Sequence, residues 1–192
     1  MTEEAKALRP AAFLDRDGVI NIDHAYVSRW EDFEFVPGAI DAMRRLGEAG
    51  YALVVVTNQS GVARGYFDEA AVQRLHEALR AHLAERGVLL AAIEYCPHLP
   101  DATVARYACE CDCRKPAPGM LLRAAEALGL DLPASLMFGD KPSDIEAAQA
   151  AGVGRPVMVA KDGKPGSTTR KVPAGALSFD SLAQAVASLL PA

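Results

Sequence analysis

Residues 11–21 have the sequence AAFLDRDGVIN, and this stretch decides the expected fold. A short apolar run, the length of a buried strand, ends abruptly in Asp15 and Asp17, which are followed by Gly18. In open parallel α/β sheets, ligands bind beyond the carboxyl ends of the strands. Two carboxylates held so close repel each other unless a proton or a cation intervenes. Asp and Gly are also common in plain turns, so the rest of the chain must separate the two interpretations.

The composition is that of a folded protein with one sizeable core. The chain has 192 residues, of which 51% are hydrophobic and 23% charged, with a net charge of −5. We expect a single domain over residues 1–192 that binds neither nucleic acid nor a membrane. No apolar run is long enough to span a bilayer, and the polar start is unlike a secretory signal. The sequence therefore favours a cytoplasmic protein, expected to be a monomer.

Apolar strands alternate with amphipathic helices along the chain. Strands are predicted at residues 11–14, 51–56, 88–95, 136–138 and 156–160, and helices at 37–50, 68–86, 117–128, 143–152 and 180–190. Asp68 is the expected N-cap of one helix, and Ser143 with Glu146 has the spacing of a capping box. Residues 161–173, rich in Gly, Pro, Ser and Thr, are predicted to form a mobile loop. The alternation predicts an α/β fold, a Rossmann-like parallel sheet with helices on both faces.

Polar residues follow three of the predicted strands, and a parallel sheet brings such strand ends to one edge. They are Asp15 and Asp17, Thr57 and Asn58, and Asp140 with Asp144. Together with Lys115 they suit phosphoryl transfer, because an ionised carboxylate can attack phosphorus without a base. Asp15 and Asp140 are expected to bind Mg²⁺, which prefers oxygen ligands. Thr57 and Lys115 can hold phosphate oxygens, and Asp17 can move the proton.

The chain resembles the haloacid dehalogenase-like phosphatases over most of its length. The resemblance rests on Asp15-x-Asp17-Gly18, Thr57, Lys115 and Gly139-Asp140-x-x-x-Asp144, in that order. It implies that Asp15 is the nucleophile and that Asp17 is the acid/base and offers its backbone carbonyl to Mg²⁺. We expect Asp144 to orient Lys115 or a water on the metal. No insertion is long enough for a large cap domain.

Residues 96–113, the cysteine segment, predict a loop insert with a structural zinc site. Three of the four cysteines lie within five residues, which suits a metal better than disulfides in a reducing compartment. The expected tetrahedral ligands are Cys96, His98, Cys111 and Cys113. Cys109 could replace Cys111, but the pair Cys111 and Cys113 abuts Arg114 and Lys115. Folding around zinc would then fix these two cations at the site.

A closer resemblance is to the bacterial D-glycero-D-manno-heptose 1,7-bisphosphate 7-phosphatases, carried by residues 13–18, 23–27, 57–61, 96–98 and 111–116. It implies hydrolysis of the 7-phosphate through an aspartyl-phosphate, giving heptose 1-phosphate for lipopolysaccharide and nucleotide-heptose biosynthesis. Arg114 is the candidate for the distal phosphate, since Arg suits bidentate phosphate recognition. The residues expected to bind this sugar bisphosphate are Asp23, His24, Ala25, Tyr26, Thr57, Asn58, Gln59, Ser60, Arg114, Lys115 and Lys141.

Two alternatives remain open. Histidinol-phosphate phosphatases resemble the chain in motifs and zinc loop, but their substrate has one phosphate and an amine, which calls for an acid rather than Arg114 and Lys141. A non-enzymatic zinc module that binds phosphorylated ligands would need a blocked nucleophile, yet Asp15 and Asp17 are both present. The sequence does not determine which anomer is preferred.

Several other residues are expected to be structural. Arg64 is expected to be solvated, and His76 and His82 receive no role, because helix positions six apart do not share a face. Three aromatic residues are expected to form a packed flap over the sheet rather than a platform for a sugar: Trp30, Phe33 and Phe35.

Overall fold

The computed structural model describes residues 8–166 and 172–190. Its strands are β1 (Arg9–Leu14), β2 (Ala52–Asn58), β3 (Leu90–Cys96), β4 (Leu130–Gly139), β5 (Arg155–Val159) and β6 (Leu177–Phe179). Its α-helices are α1 (Ala39–Glu48), α2 (Glu69–Ala84), α3 (Gly119–Leu128), α4 (Pro142–Ala151) and α5 (Leu182–Leu189). The strands form one sheet in the order β3-β2-β1-β4-β5-β6, and all neighbours are parallel. The predicted Rossmann-like fold without a large cap domain is confirmed.

The central strand β1 is apolar on both faces, so each face of the sheet is covered by helices. Ala12 and Leu14 belong to a core formed with α1, α2 and α5. Ala11 and Phe13 belong to a second core formed with α3 and α4. The chain order reverses between β1 and β4, and the crevice beyond their carboxyl ends is the expected ligand site of such a sheet.

Strand β4 and helix α4 differ from their predicted bounds. Strand β4 begins at Leu130 rather than at residue 136, because Leu130 and Asp131 pair with the start of β1, across an irregularity in register. Helix α4 begins at Pro142, and the backbone N–H of Lys141 donates to Asp144 Oδ2 at 3.0 Å. The predicted capping box of Ser143 and Glu146 was therefore wrong, since proline at the first helical position starts the helix earlier.

The segment predicted to be a mobile loop is tied to the residues that follow β1, where the structure describes it. Lys161–Gly163 form one 3₁₀ turn. The backbone N–H of Asp162 donates to the carbonyl of Gly18 at 2.8 Å, and its carboxylate accepts from Asp23 N–H at 2.8 Å. Residues 167–171 of the predicted loop lie outside the described residues. The unpredicted strand β6 follows; it has three residues and little burial, too short for a clear sequence signal.

No described helix has the length and apolar character needed to cross a membrane.

Candidate active site

Asp15 lies directly beyond β1, and its carboxylate meets the ammonium of Lys115. Its backbone N–H donates to Phe138 O at 2.9 Å, which joins the ends of β1 and β4. Lys115 Nζ lies 2.8 Å from Asp15 Oδ1 and 2.7 Å from both Asp144 Oδ1 and Val56 O. Burial alone would lower the pKa of Lys115, but the charges of Asp144 and Asp15 outweigh it and raise that pKa. The buried lysine therefore stays charged between two carboxylates.

Three carboxylates at this edge of the sheet form a donor set for a cation. Ligand oxygens of Asp15, Asp140 and Asp144 all lie within 4.8 Å of one another. Asp140 Oδ1 is buried and accepts no hydrogen bond from the described residues, and the Lys141 ammonium lies 3.6 Å from it. Burial, and then the charge of Asp15, raises the pKa of Asp140 to about 7. A hard divalent cation such as Mg²⁺ fits this crowded oxygen set.

Gly18 is required where the backbone approaches Asp140. Its φ of +95° lies in the left-handed region, and a Cβ there would lie 2.6 Å from Asp140 Oδ2. Any side chain at this position would push the Asp140 carboxylate away. The glycine after the two aspartates thus has a steric reason beyond turn formation.

Asp17 points into a set of buried donors. Arg16 Nη2 lies 3.0 Å from both carboxylate oxygens, Asn21 Nδ2 donates to Oδ1 at 3.0 Å, and Gln59 Nε2 donates to Oδ2 at 2.9 Å. Burial alone would raise the pKa of Asp17, but the Arg16 charge and these hydrogen bonds lower it. Asp17 is therefore ionised before any substrate arrives.

The polar end of β2 holds Lys115 and the neighbourhood of Asp17. Asn58 Oδ1 accepts from the Lys115 N–H at 3.1 Å, and Asn58 Nδ2 donates to the Lys115 carbonyl at 3.0 Å. Buried Thr57 accepts from Gln59 Nε2 at 2.9 Å. The side-chain amides of Asn58 and Gln59 thus form hydrogen bonds within the protein. Both residues support the position of Lys115 and Asp17, a role that the sequence did not indicate.

A cavity of about 260 Å³ opens above these groups. It gathers most of the predicted substrate residues, and its lining is Asp17, Asp23, Ala25, Tyr26, Asn58, Gln59, Ser60, Gly61 and Lys141. Thr57 and Lys115 are buried, whereas His24 and Arg114 are not among its lining residues. The Nε2 atom of His24 instead lies 2.9 Å from Oε2 of Glu34. A larger hollow of about 420 Å³ lies by the amino ends of the strands, but none of the clustered carboxylates lines it.

The cysteine segment forms a compact cluster of three thiols and one imidazole: Cys96, His98, Cys111 and Cys113. Their sulfur atoms are 3.1 to 3.6 Å apart, and His98 Nδ1 lies 3.3 Å from Cys113 Sγ. Cys109 is exposed and lies outside this cluster, so the geometry gathers the four predicted ligands. Burial raises the pKa of the Cys96 thiol well above its usual range. A metal that holds thiolates and imidazole in a tetrahedron, such as Zn²⁺, fits these four groups.

Arg114 lies between this cluster and the active site. Its Nη1 donates to the backbone carbonyl of His98 at 3.1 Å. The next residue is Lys115, so one short stretch follows the cluster and delivers both cations. The structure therefore links Arg114 to the cysteine segment by a hydrogen bond, and the expectation that folding around zinc fixes Arg114 and Lys115 stays a prediction.

Sequence reasoning missed the environment of Arg16 and His76. Arg16 is fully buried, and its Nη1 lies 3.1 Å from His76 Nε2. The sequence did contain a signal for the burial of His76, because this residue falls on the same apolar stripe of α2 as Val72 and Leu79.

The other histidine of α2 is part of the aromatic flap. The ring of His82 stacks on Phe35 at a centroid distance of 5.2 Å. Trp30 stacks on Phe33 at 5.3 Å, and these aromatic residues pack against the core below α1 and α2. The flap is thus packed against the core on this side of the sheet and is no open platform for a sugar, as expected.

Comparison with known proteins identifies the family. The D-glycero-beta-D-manno-heptose-1,7-bisphosphate 7-phosphatase of Photorhabdus laumondii is 56% identical over 159 residues, which cover 83% of this chain and 84% of that protein. The chain belongs to the heptose bisphosphate phosphatase family. The Escherichia coli K12 member of this family is 56% identical over 156 residues and 81% of each chain.

Family models and a solved structure agree with this membership. The HAD-hydrolase-like model matches residues 112–185, and the polynucleotide kinase 3 phosphatase model matches residues 12–147. The D,D-heptose 1,7-bisphosphate phosphatase of B. bronchiseptica, solved with magnesium and phosphate, has a TM-score of 0.80 and 35% identity. The superposition covers 94% of this chain and 98% of that one. As a heptose bisphosphate phosphatase family member, the chain is a phosphomonoester hydrolase.

Proposed function

We propose that this enzyme removes the 7-phosphate of D-glycero-D-manno-heptose 1,7-bisphosphate and that it depends on Mg²⁺. The observation that carries the chemistry is the meeting of Asp15, Asp140 and Asp144 at the carboxyl edge of the sheet, where Lys115 contacts Asp15 and Asp144. The substrate follows from relatives at 56% identity that carry this activity in their names.

In the first step, a carboxylate oxygen of Asp15 attacks phosphorus and forms an aspartyl-phosphate while the bond to the sugar oxygen breaks. Asp17 donates a proton to that leaving oxygen. Because the pKa of Asp17 is lowered in the free protein, its carboxylate must take up this proton from solvent when the substrate binds. The negative charge of the phosphate beside the carboxylate raises the pKa of Asp17 and so favours that uptake. Lys115 stabilises the negative charge on the transferring group.

In the second step, Asp17 is a carboxylate again and removes a proton from water. The water oxygen attacks phosphorus, the bond to Asp15 breaks, and inorganic phosphate leaves. Mg²⁺, held by Asp15, Asp140 and the backbone carbonyl of Asp17, would offset the charge repulsion between nucleophile and phosphate. The net reaction consumes one water and regenerates both aspartates.

The sugar would occupy the open cavity, and the second phosphate would extend beyond the lining of that cavity toward Arg114. Lys141 lines the cavity. The charges of Asp15 and Asp140 raise the pKa of Lys141 against the effect of burial, so its side chain stays positively charged. Arg114, held by the cysteine segment, would bind the distal phosphate through its planar fork. With no large cap, the substrate itself would cover part of the entrance.

The pathway, cellular location and oligomeric state of the enzyme are part of the same proposal. Its product, heptose 1-phosphate, would enter lipopolysaccharide and nucleotide-heptose biosynthesis. The thiols of Cys96, Cys111 and Cys113 are free rather than paired in disulfides, which supports a cytoplasmic location with Zn²⁺ in the cysteine segment. We propose that the enzyme acts there as a monomer.

One experiment separates the candidate functions. The purified protein with Mg²⁺ is assayed on the α and β anomers of the heptose bisphosphate and on histidinol phosphate. We expect the highest kcat/KM on a heptose anomer, and Arg114→Gln should lower it for the bisphosphate but not for a monophosphate. A preference for histidinol phosphate would reverse the assignment, and no cleavage of any phosphomonoester would favour a binding module.

A further inference from the structure

A buried chain of contacts runs from helix α2 to the carboxylate of Asp17. Arg16 is fully buried between Asp17 on one side and His76 on the other. Its Nη2 bonds both oxygens of Asp17 at 3.0 Å, and its Nη1 lies 3.1 Å from His76 Nε2. The same Nη2 also donates to the carbonyl of Val27 at 2.8 Å. The guanidinium thus has no freedom to turn without losing several contacts.

Neutral His76 can accept a hydrogen bond from Arg16. Burial, and then the positive charge of Arg16, lowers the pKa of His76 to about 3, so the ring carries no charge at neutral pH. An imidazole without a proton on Nε2 accepts there, and a guanidinium can only donate. The direction of the bond is therefore fixed, from Arg16 to His76.

Helix α2 is itself anchored near His76 by two tyrosines. The hydroxyls of Tyr95 in β3 and Tyr107 in the cysteine segment donate to the two oxygens of Glu69, each at 2.7 Å. The ring of Tyr95 meets the His76 ring edge-on at a centroid distance of 5.7 Å. Tyr107 lies close to His98, with ring centroids 6.2 Å apart. His76 therefore sits on a helix that is braced against both β3 and the cysteine segment.

We propose that Arg16 and His76 are positioning residues that hold Asp17 for proton transfer. The inference rests on the proposed function, in which Asp17 protonates the leaving sugar oxygen. Neither residue lines the cavity, so each would act only through Asp17. Catalysis is sensitive to the placement of an acid, because the proton must travel along a short, aligned hydrogen bond.

The test uses the leaving group. An alkoxide needs a proton to leave, whereas 2,4-dinitrophenolate leaves without one. A badly placed acid therefore slows phosphoryl transfer from the alkyl phosphate but not from the aryl phosphate. His76→Phe keeps a ring of similar size but has no acceptor, and His76→Gln restores an acceptor. Single-turnover rates are measured for heptose bisphosphate with excess enzyme, and the burst of dinitrophenolate is measured for the aryl phosphate. With saturating enzyme in the first measurement and saturating substrate in the second, these first-order rates do not depend on the fraction of enzyme that is folded.

We expect His76→Phe to slow transfer from the alkyl phosphate about 10- to 100-fold, part of the usual contribution of an acid. The aryl burst should change less than about threefold, and His76→Gln should keep both rates within about threefold of wild type. Arg16→Lys, which keeps the charge but cannot fork between Asp17 and His76, should show the same leaving-group dependence as His76→Phe. His82→Phe, on the same helix but in the aromatic flap, is the matched control and should change neither rate.

Three results are decisive. An equal loss with both leaving groups, in His76→Phe and Arg16→Lys alike, would mean a structural role and overturn the inference. Unchanged alkyl transfer in both variants would overturn it too. If wild-type enzyme forms no aryl burst and cleaves no alkyl phosphate, the proposed function itself fails, and the inference falls with it. The activity of the wild type thus distinguishes failure of the positioning role from failure of the proposed function.

Discussion

The Nζ atom of Lys115 lies 2.8 Å from Oδ1 of Asp15, although one hundred positions separate these residues in the sequence. Asp144 contacts the same ammonium at 2.7 Å. One lysine therefore balances two buried carboxylates, and ionisation of Asp140 beside them leaves the cluster with excess negative charge. A phosphate dianion can enter such a site only when further positive charge is present, which is why the geometry favours a divalent cation.

Asp15→Asn should abolish turnover and leave the fold intact. The amide keeps the shape of the side chain and an oxygen for Lys115, but it cannot act as a nucleophile. Burial raises the pKa of Asp15, so the ionised carboxylate is held at a cost in stability that the amide avoids. We expect phosphate release to fall at least about a thousandfold and the melting temperature to stay equal or rise. Turnover within tenfold of wild type would contradict the assignment of the nucleophile.

Gly18→Ala should damage the metal site, and Gly50→Ala is its matched control. Both glycines have a positive φ, +95° and +90°, so alanine brings about 1–2 kcal/mol of backbone strain at either position. Only at Gly18 does the new Cβ meet another group, Asp140 Oδ2 at 2.6 Å, whereas nothing lies within 4 Å at Gly50. The measurements are the Mg²⁺ dependence of kcat and the melting temperature. We expect both variants to lose stability, Gly18→Ala at least as much as Gly50→Ala, and only Gly18→Ala to need more Mg²⁺. Equal Mg²⁺ dependence would argue against the contact.

Mg²⁺ should stabilise the protein more at pH 8 than at pH 5. Burial and Asp15 raise the pKa of Asp140 to about 7 from 3.8. Between these values the native state keeps a proton that the unfolded chain has released, so without metal the free energy of unfolding falls as the pH rises, by a few kcal/mol at most. The cation binds the ionised carboxylates, which are fully formed only above pH 7.

Thermal melts with Mg²⁺ and with a chelator, at both pH values, test this expectation. Asp140→Asn is the control, because it cannot ionise and should show a small Mg²⁺ effect at either pH. A shift in melting temperature that is equal at pH 5 and pH 8 in the wild type would contradict the pKa argument.

The sequence was sufficient for the parts of the fold that follow from local patterns. The apolar run before Asp15 predicted a central strand, the alternation of strands and helices predicted a parallel sheet, and the spacing in residues 96–113 predicted the thiol cluster that the structure gathers. Each of these depends on neighbouring residues. Because parallel strands share an edge, the approach of Asp15, Asp140 and Lys115 also followed from topology alone.

The missed features depend on contacts between distant segments. The first half of β4 is paired through β1, and its Pro133 and Asp131 give no strand signal. Asp162 anchors a loop of turn-forming residues to Gly18. His76 was assigned no role because it does not share a helix face with His82. Its place on an apolar stripe indicates burial but not its partner, which is Arg16, sixty residues earlier. Such partners are set by packing in three dimensions, and no periodicity records them.

Cys96→Ser should lose zinc and much of the activity together. Cys96 is fully buried and lies against Cys113, Cys111 and His98, and removing one of four ligands weakens a structural zinc site strongly. The His98 carbonyl that holds Arg114 would then lose its fixed position. Cys109→Ser, an exposed thiol outside the cluster, is the control and should keep zinc and activity. Metal content by mass spectrometry is compared with kcat/KM, and a zinc-free Cys96→Ser enzyme with full activity would refute the coupling.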